Sequence, residues 1–340
     1  IAIGTTSGNY VQGTQAVAIG CVSGYQTQGS GAVAIGSNAG AFTQGDLGVA
    51  VGSYSGNIGQ KRNAIAMGYY AGYRNQGTNA IAIGGGEYQF NISTFVGGAG
   101  YTGQGQYAIA IGYQAGYTNQ QSSAIAIGFN AGQNTQGSQA VAIGNAAGQN
   151  SQGSNAVAIG WTAGQSTQGG FAIAIGYEAG RQGQGTNSIA IGNAAGQGTN
   201  TAQGQNAVAI GYYAAQRAQQ SGAIAIGYLA SRFSQGTNSI AIGTLSGGDP
   251  TNGIGTAQAA NTIILNASGS VVTGGTASAC YVAPIRGSTY PYNLGYDATT
   301  KEIIYSSVNS FLPSTFTQLS AAASSVSLNV PSVSDGFYLE

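Results

Sequence analysis

Histidine is absent from the 340 residues, and charge nearly so: eight Lys and Arg stand against eight Asp and Glu, 5% of the chain. An ordinary soluble domain carries roughly a quarter, so polar surface here must come from Gln, Asn, Ser and Thr. Without histidine, neither a Ser-His-Asp nor a Cys-His arrangement can be assembled. The carboxylates are scattered: within the repeated part only Asp46, Glu87 and Glu178 occur, and no two are 16 residues apart. A paired-carboxylate glycosidase, which needs two within about 5 to 9.5 Å, is therefore disfavoured. No enzyme activity, cofactor or metal site is expected. Lys and Arg do not cluster into a phosphate track, which argues against nucleic acid. Apolar runs are about five residues long, short of the ~20 a spanning helix needs, so no membrane insertion is expected. The two cysteines, Cys21 and Cys280, lie too far apart to suggest a disulfide framework or a zinc site. Disorder is a poor reading for a chain that is 42% apolar with zero net charge.

What is abundant is glycine, 60 residues of it, and it is periodic. An AIAIG-like run ends at Gly4, Gly20, Gly36, Gly52, Gly68, Gly84, Gly112, Gly128, Gly144, Gly160, Gly176, Gly192, Gly211, Gly227 and Gly243. The interval is 16 residues except for 28 between Gly84 and Gly112 and 19 between Gly192 and Gly211. Because AGYTGQGQYAIAIG from Ala99 aligns with AGYTNQQSSAIAIG from Ala115, the long interval reads as two coils with four residues missing. The other reads as three extra residues near Gly198 to Thr201. Repeats of this kind decide architecture. The chain opens mid-motif at Ile1, shows no readable targeting segment, and reads as part of a longer polypeptide.

A 16-residue unit is too short for a helix pair, and its glycine content opposes helix. It suits one coil of a parallel β-solenoid, with two short strands and two glycine turns. Ile and Val alternate with Ala in each strand and so occupy opposite faces. The expectation is that Ile and Val fill the coil while Ala lies outside, where small side chains let a second copy approach around a symmetry axis. About 15 coils between Gly4 and Gly243 would make a rod about 70 Å long.

Two further columns repeat. A Gln recurs eight residues after the marker glycine: Gln12, Gln28, Gln44, Gln60, Gln76, Gln120, Gln136, Gln152, Gln168, Gln184, Gln219 and Gln235, with Gln203 in the same place after the insertion. At roughly 4.8 Å spacing these amides would form a structural ladder. The residue after the marker is often aromatic, at Tyr69, Tyr113, Phe129, Trp161, Tyr177, Tyr212 and Tyr228. Such a stripe is a candidate surface contact for sugar rings or a receptor, or a cover for an inter-subunit groove. Arg74, Arg181, Arg217 and Arg232 fall in the following loop and read as solvated. The sequons at Asn91 and Asn266 are weak signals.

The pattern A-I/V-A-I-G-x-x-A/S-G resembles the head repeat of YadA-like trimeric autotransporter adhesins. That resemblance runs from Ile1 to about Gly243 and implies a left-handed β-roll in which three chains pack side by side into a homotrimer. Past Gly243 the composition changes, and the expected divisions are a shaft over 1–243, a linker over 244–261, a β-rich cap over 262–310 and an irregular tail over 311–340. Strands are expected at Thr262 to Leu265, Ala279 to Val282 and Glu302 to Ser306, with a turn at Tyr296 to Thr300. Pro284, Ile285, Arg286, Leu294, Gly295, Tyr296, Asp297, Thr300, Lys301, Glu302 and Ile303 resemble the segment that follows such repeats in fibre proteins of large DNA viruses and phages. In those proteins it commonly precedes a tail-spike-type intramolecular chaperone. The resemblances together imply an extracellular, structural and adhesive trimeric fibre on a virion surface. Its partners would be itself, other virion or fibre proteins and a host-surface glycan or receptor; a bacterial cell-surface adhesin is the alternative. A polysaccharide-degrading tail spike should show acidic clusters, and an ice-binding solenoid a regular Thr array; neither pattern is present.

Overall fold

A computed structural model describes the chain except for residues 90–93, 199–200, 249–256, 286–291, 297–298, 302 and 308–340. It divides into two units, Ile1–Ile285 and Arg286–Glu340. The first is a parallel β-solenoid, and among the described residues there is no helix. Its main sheet has 17 strands, nearly all of them the Ile/Val-Ala-Ile runs. They stack parallel in a step of one repeat, as in Val141↔Val157, Ala142↔Ala158 and Ile143↔Ile159. At about 4.8 Å per strand the ladder is about 77 Å long. A second, narrower ladder carries the Gln segments, as strands at Thr118–Gln120, Asn134–Gln136 and Asn150–Gln152 and as isolated parallel bridges elsewhere.

The two faces of the main strand are the reverse of the expectation. Ala142, Ala158 and Ala174 are completely buried, together with the post-turn Ala147, Ala163 and Ala179. The Ile and Val side chains point outward and are part-exposed: Ile143 at 37%, Ile159 at 36% and Ile242 at 39%. The cause is the width of the coil. With few residues per circuit, the opposed segments approach so closely that the interior accepts methyl groups and the flat Gln side chain, and γ-branched bulk is excluded from it. The same closeness fixes the marker glycine: at Gly144, with φ +127°, an added Cβ would lie 2.6 Å from the carbonyl oxygen of Gly160. Two residues after the marker, non-glycine residues also take left-handed backbone, as at Ala146 and Glu178, both at φ 54°. This conformation costs roughly 1–2 kcal/mol per residue, and the inter-coil bonds from Ala146 N–H to Phe129 O (2.8 Å) and Glu178 N–H to Trp161 O (2.9 Å) hold it in place.

The 28-residue interval is also not two shortened coils. The strand at Ile81–Ile83 pairs directly with Ile109–Ile111, so this is one coil with 12 residues added. The added chain folds out as an antiparallel pair, Glu87–Gln89 with Thr94–Val96. The ladder therefore advances one coil fewer up to Gly243 than the sequence spacing implies. It then continues: Ile240–Gly243 pairs in parallel with Ile263–Asn266, and that strand with Cys280–Ala283. Two strands expected to begin a separate cap thus extend the rod, and Ile264 takes the buried position of the inward Ala. Most of the expected 244–261 linker lies outside the described residues. In the second unit, Tyr292–Tyr296 pairs antiparallel with Ile303–Ser307, while Arg286, Asp297, Glu302 and the expected tail over 311–340 lie outside the described residues.

The inverted faces have a direct test. Ala158→Leu should overpack the interior and lower stability by about 1–3 kcal/mol or more, whereas Ile159→Leu, on the outer face, should change the melting temperature little. Thermal unfolding of the two variants checks this, and equal effects would contradict the inward placement of Ala.

Candidate functional surface

The buried polar column is built from inside the coil. Gln136 Nε2 donates to the carbonyls of Ile125 (2.7 Å) and Ala140 (3.3 Å) and to Oε1 of Gln152 (3.1 Å). One amide thus bonds both walls of its coil and the coil above. Amide-to-amide bonds run through Gln12, Gln28 and Gln44, from Gln60 to Gln76, from Gln104 to Gln184, and through Gln203, Gln219 and Gln235. The Oε1 atoms of Gln60, Gln104 and Gln203 have no donor. Two of these breaks coincide with the two insertions. Gln104 and Gln258 occupy the same column but stand outside the simple count from the marker glycines. The tight turn before the column follows from it, since a Cβ on Gly148 would meet Gln152 Cδ at 2.8 Å.

A second polar column was not anticipated. Five residues after the marker, Gln133 donates to Gln114 (2.7 Å), Gln149 to Gln133 (2.9 Å), Gln165 to Gln149 (3.0 Å) and Arg181 Nε to Gln165 (3.2 Å). Arg181 also pairs with Glu178 at 3.0 Å. The chain goes on through Gln197, which donates to Glu178, then Gln216 to Gln197 (2.8 Å) and Arg232 Nε to Gln216 (2.9 Å). The signal was in the sequence as the 16-residue spacing of Gln133, Gln149 and Gln165. The solvated reading of the arginines is corrected accordingly. Arg181 and Arg232 are built into this column, and the Arg74 and Arg217 guanidinium carbons lie 5.1 Å and 5.3 Å from the ring centroids of Tyr73 and Phe233.

The aromatic residues after the marker form separate exposed pairs rather than a continuous stripe. Tyr113 stacks on Phe129 at 5.1 Å, Trp161 on Tyr177 at 4.7 Å and Tyr212 on Tyr228 at 5.5 Å, all nearly parallel. Tyr69 instead joins a cluster with Tyr54, Tyr70, Tyr73, Tyr101 and Tyr117 beside the inserted hairpin. There Tyr70 stacks on Tyr54 at 4.8 Å, and Tyr101 stacks between Tyr73 and Tyr117 at 5.2 Å and 4.9 Å. Burial, and then the neighbouring phenols, push Tyr70 up to about 12 from 10.0. Burial likewise raises Tyr101, opposed by Arg74. This cluster was missed because its members come from two columns brought together by the insertion.

Of the two sequons, Asn91 lies outside the described residues. Asn266 is buried and donates to Thr244 O (2.7 Å) and Ser270 O (2.6 Å), which leaves its amide no room for a glycan. Cys21 and Cys280 are free thiols. No group of His, Cys, Asp or Glu able to hold a metal occurs among the described residues.

The surface is that of a structural solenoid: polar groups are used up in ladders, and apolar and aromatic side chains face out. A model of the YadA head domain repeat matches, in two copies, at residues 198–214, so the chain contains YadA-like head repeats there. No curated protein and no solved structure matches.

Two measurements check the energetics. Gln136→Leu should cost about 1–3 kcal/mol by leaving buried bonding groups unpaired, read as faster amide exchange in the coils around Ile125 and Val141. Because folding favours the neutral Tyr70 phenol, its contribution is intact below pH 10 and lost as pH rises from about 10 to about 12. Ultraviolet phenolate titration with parallel melting curves should show an alkaline stability loss that is smaller in Tyr70→Phe.

Proposed function

We propose that the chain is the shaft of an adhesin-like homotrimeric fibre, displayed on a virion surface, that extends a tip and presents its aromatic pairs to host glycans or receptors. The observation that carries this reading is the outer face of the main sheet. Ile35, Met67, Ile83, Ile111, Ile143 and Ile159 stand one per coil in a single part-exposed column, continued by Ile242, Leu265 and Val282. A contiguous apolar strip along the whole rod exceeds the few hundred Å² that soluble monomers leave open. A face repeating at one coil spacing is best complemented by another with the same spacing, namely a second copy of the chain. The three-fold arrangement is supported by the similarity to YadA head repeats. The contact face is thus the Ile/Val face, and the inward Ala columns play no part in it. The virion location is supported by the resemblance of the segment around Pro284 and Leu294 to viral and phage fibres. The repeat match itself favours a bacterial surface adhesin as the second reading.

Light scattering or native mass spectrometry should give three times the 33.6 kDa protomer. Ile143→Lys with Ile159→Lys should release monomers with their β circular dichroism retained. A soluble wild-type monomer would remove the fibre reading. Trp161→Ser with Tyr177→Ser should keep the trimer and weaken host-surface binding, and unchanged binding would confine that pair to a packing role.

A further inference from the structure

We infer that the surface formed by Tyr212, Tyr213, Tyr228, Arg217, Arg232 and Phe233 is a binding site for a carboxylate-bearing saccharide. This deepens the proposed host-surface contact and rests on it. Three coils build the patch. Tyr212 stacks on Tyr228 at 5.5 Å and meets the edge of Tyr213 at 4.3 Å. The Arg232 guanidinium carbon lies 5.0 Å from the Tyr213 centroid and 4.9 Å from that of Phe233, and Arg217 lies 5.3 Å from the same Phe233 ring. The chain carries few cations, yet two of them meet here.

Neither guanidinium has a carboxylate partner among the described residues, where the only ion pair is Arg181 with Glu178. Arg232 spends its Nε–H on Gln216 Oε1 at 2.9 Å, and its plane is held by the flanking rings. Its terminal N–H groups remain, in the fork geometry that receives a carboxylate in two parallel bonds. Cation–π contact with the rings pre-orients that fork before any ligand arrives. Beside it, Tyr212 and Tyr228, 45% and 51% exposed, offer the flat apolar faces on which pyranose C–H groups stack. Apolar platform plus unpartnered guanidinium pair is the complement of an acidic sugar. The other exposed pairs, Tyr113 with Phe129 and Trp161 with Tyr177, have no such cation: the nearby Arg181 is neutralised by Glu178. Two guanidiniums also suit one carboxylate better than a polyphosphate, which needs an extended cationic track. The patch occupies the turn and the Gln-bearing segment, so it stays open when the Ile/Val face is covered by other copies.

The test uses the native assembly, with 3′-sialyllactose and a hyaluronan hexasaccharide as acidic probes, lactose as the neutral one and a thymidine oligonucleotide as the phosphate one. Calorimetry and saturation-transfer NMR should show both acidic sugars binding more tightly than lactose and weakening with added salt. Arg217→Gln and Arg232→Gln should each lower acidic-sugar affinity about tenfold or more, and Tyr212→Ala should abolish the NMR contact. Arg217 is exposed and bonds no interior group, so its variant stays informative even where Arg232→Gln disturbs the polar column. Failure of both acidic probes, equal binding of lactose, insensitivity to Arg217→Gln, or preference for the oligonucleotide through the same arginines would each overturn the inference. A trimer that binds neutral glycans through Trp161 and Tyr177 alone would also overturn it, while leaving the fibre reading standing; a monomer by mass would instead sink that reading.

Discussion

The separation between opposed segments of one coil governs this molecule. Alanine methyls from the main strand meet alanine methyls from the post-turn position, as Ala142 meets Ala147 and Ala158 meets Ala163 within one buried cluster, and the space left beside them holds a single glutamine amide. An interior this thin has no room for branched aliphatic side chains, so these are displaced to the outer face. The marker glycine is likewise imposed by proximity, because successive Gly turns lie too close to admit a Cβ. Stability in such a rod comes less from apolar volume per coil than from hydrogen bonds to the neighbouring coils, satisfied by repetition.

An interior that buries mainly methyl groups leaves the larger hydrophobic residues without a home in the monomer. That is the physical route from the coil to assembly: the Ile and Val columns realise their transfer free energy, about 1.5 to 3 kcal/mol for each side chain fully buried, only when another surface covers them. A solenoid with a bulky core would have no comparable need for partners. The buried Gln columns then secure register. A slip of one residue would break the bonds of each amide to two carbonyls and to its neighbour, which is a sharper penalty than methyl packing alone could impose.

Period, fold class and the positions of the glycine turns were legible because they depend only on spacing. The assignment of faces was not. Alternation states that Ile143 and Ala142 lie on opposite sides, yet it carries no information about which side is inside. That depends on coil width, which emerges from how the turns at Gly144 and Gly153 close. Preferring the larger side chain for the interior is sound for ordinary sheets and fails in a coil this narrow. The hairpin at Glu87–Gln89 and Thr94–Val96 was hidden for a related reason. A repeat count treats an excess of residues as missing coils, and only the direct pairing of Ile81–Ile83 with Ile109–Ile111 distinguishes an excursion from an additional turn of the rod.

The interruptions, rather than the repeats, give this rod local character. The inserted hairpin gathers six tyrosines from neighbouring columns and buries Tyr70 among them. The three-residue insertion coincides with a break in the inner amide ladder at Gln203, while the outer column crosses the same level through Gln197 and Gln216. Each break is compensated by contacts made elsewhere in the same coils, so the stack carries across it. A uniform repeat presents the same groups at every level and can distinguish no position along its length. Substitutions within one column, such as arginine for glutamine at 181 and 232, change the exposed chemistry without changing the backbone that holds it. Specific recognition by a solenoid of this kind must therefore arise where the columns change residue type, and Arg217, Arg232 and the paired tyrosines beside them mark such a place.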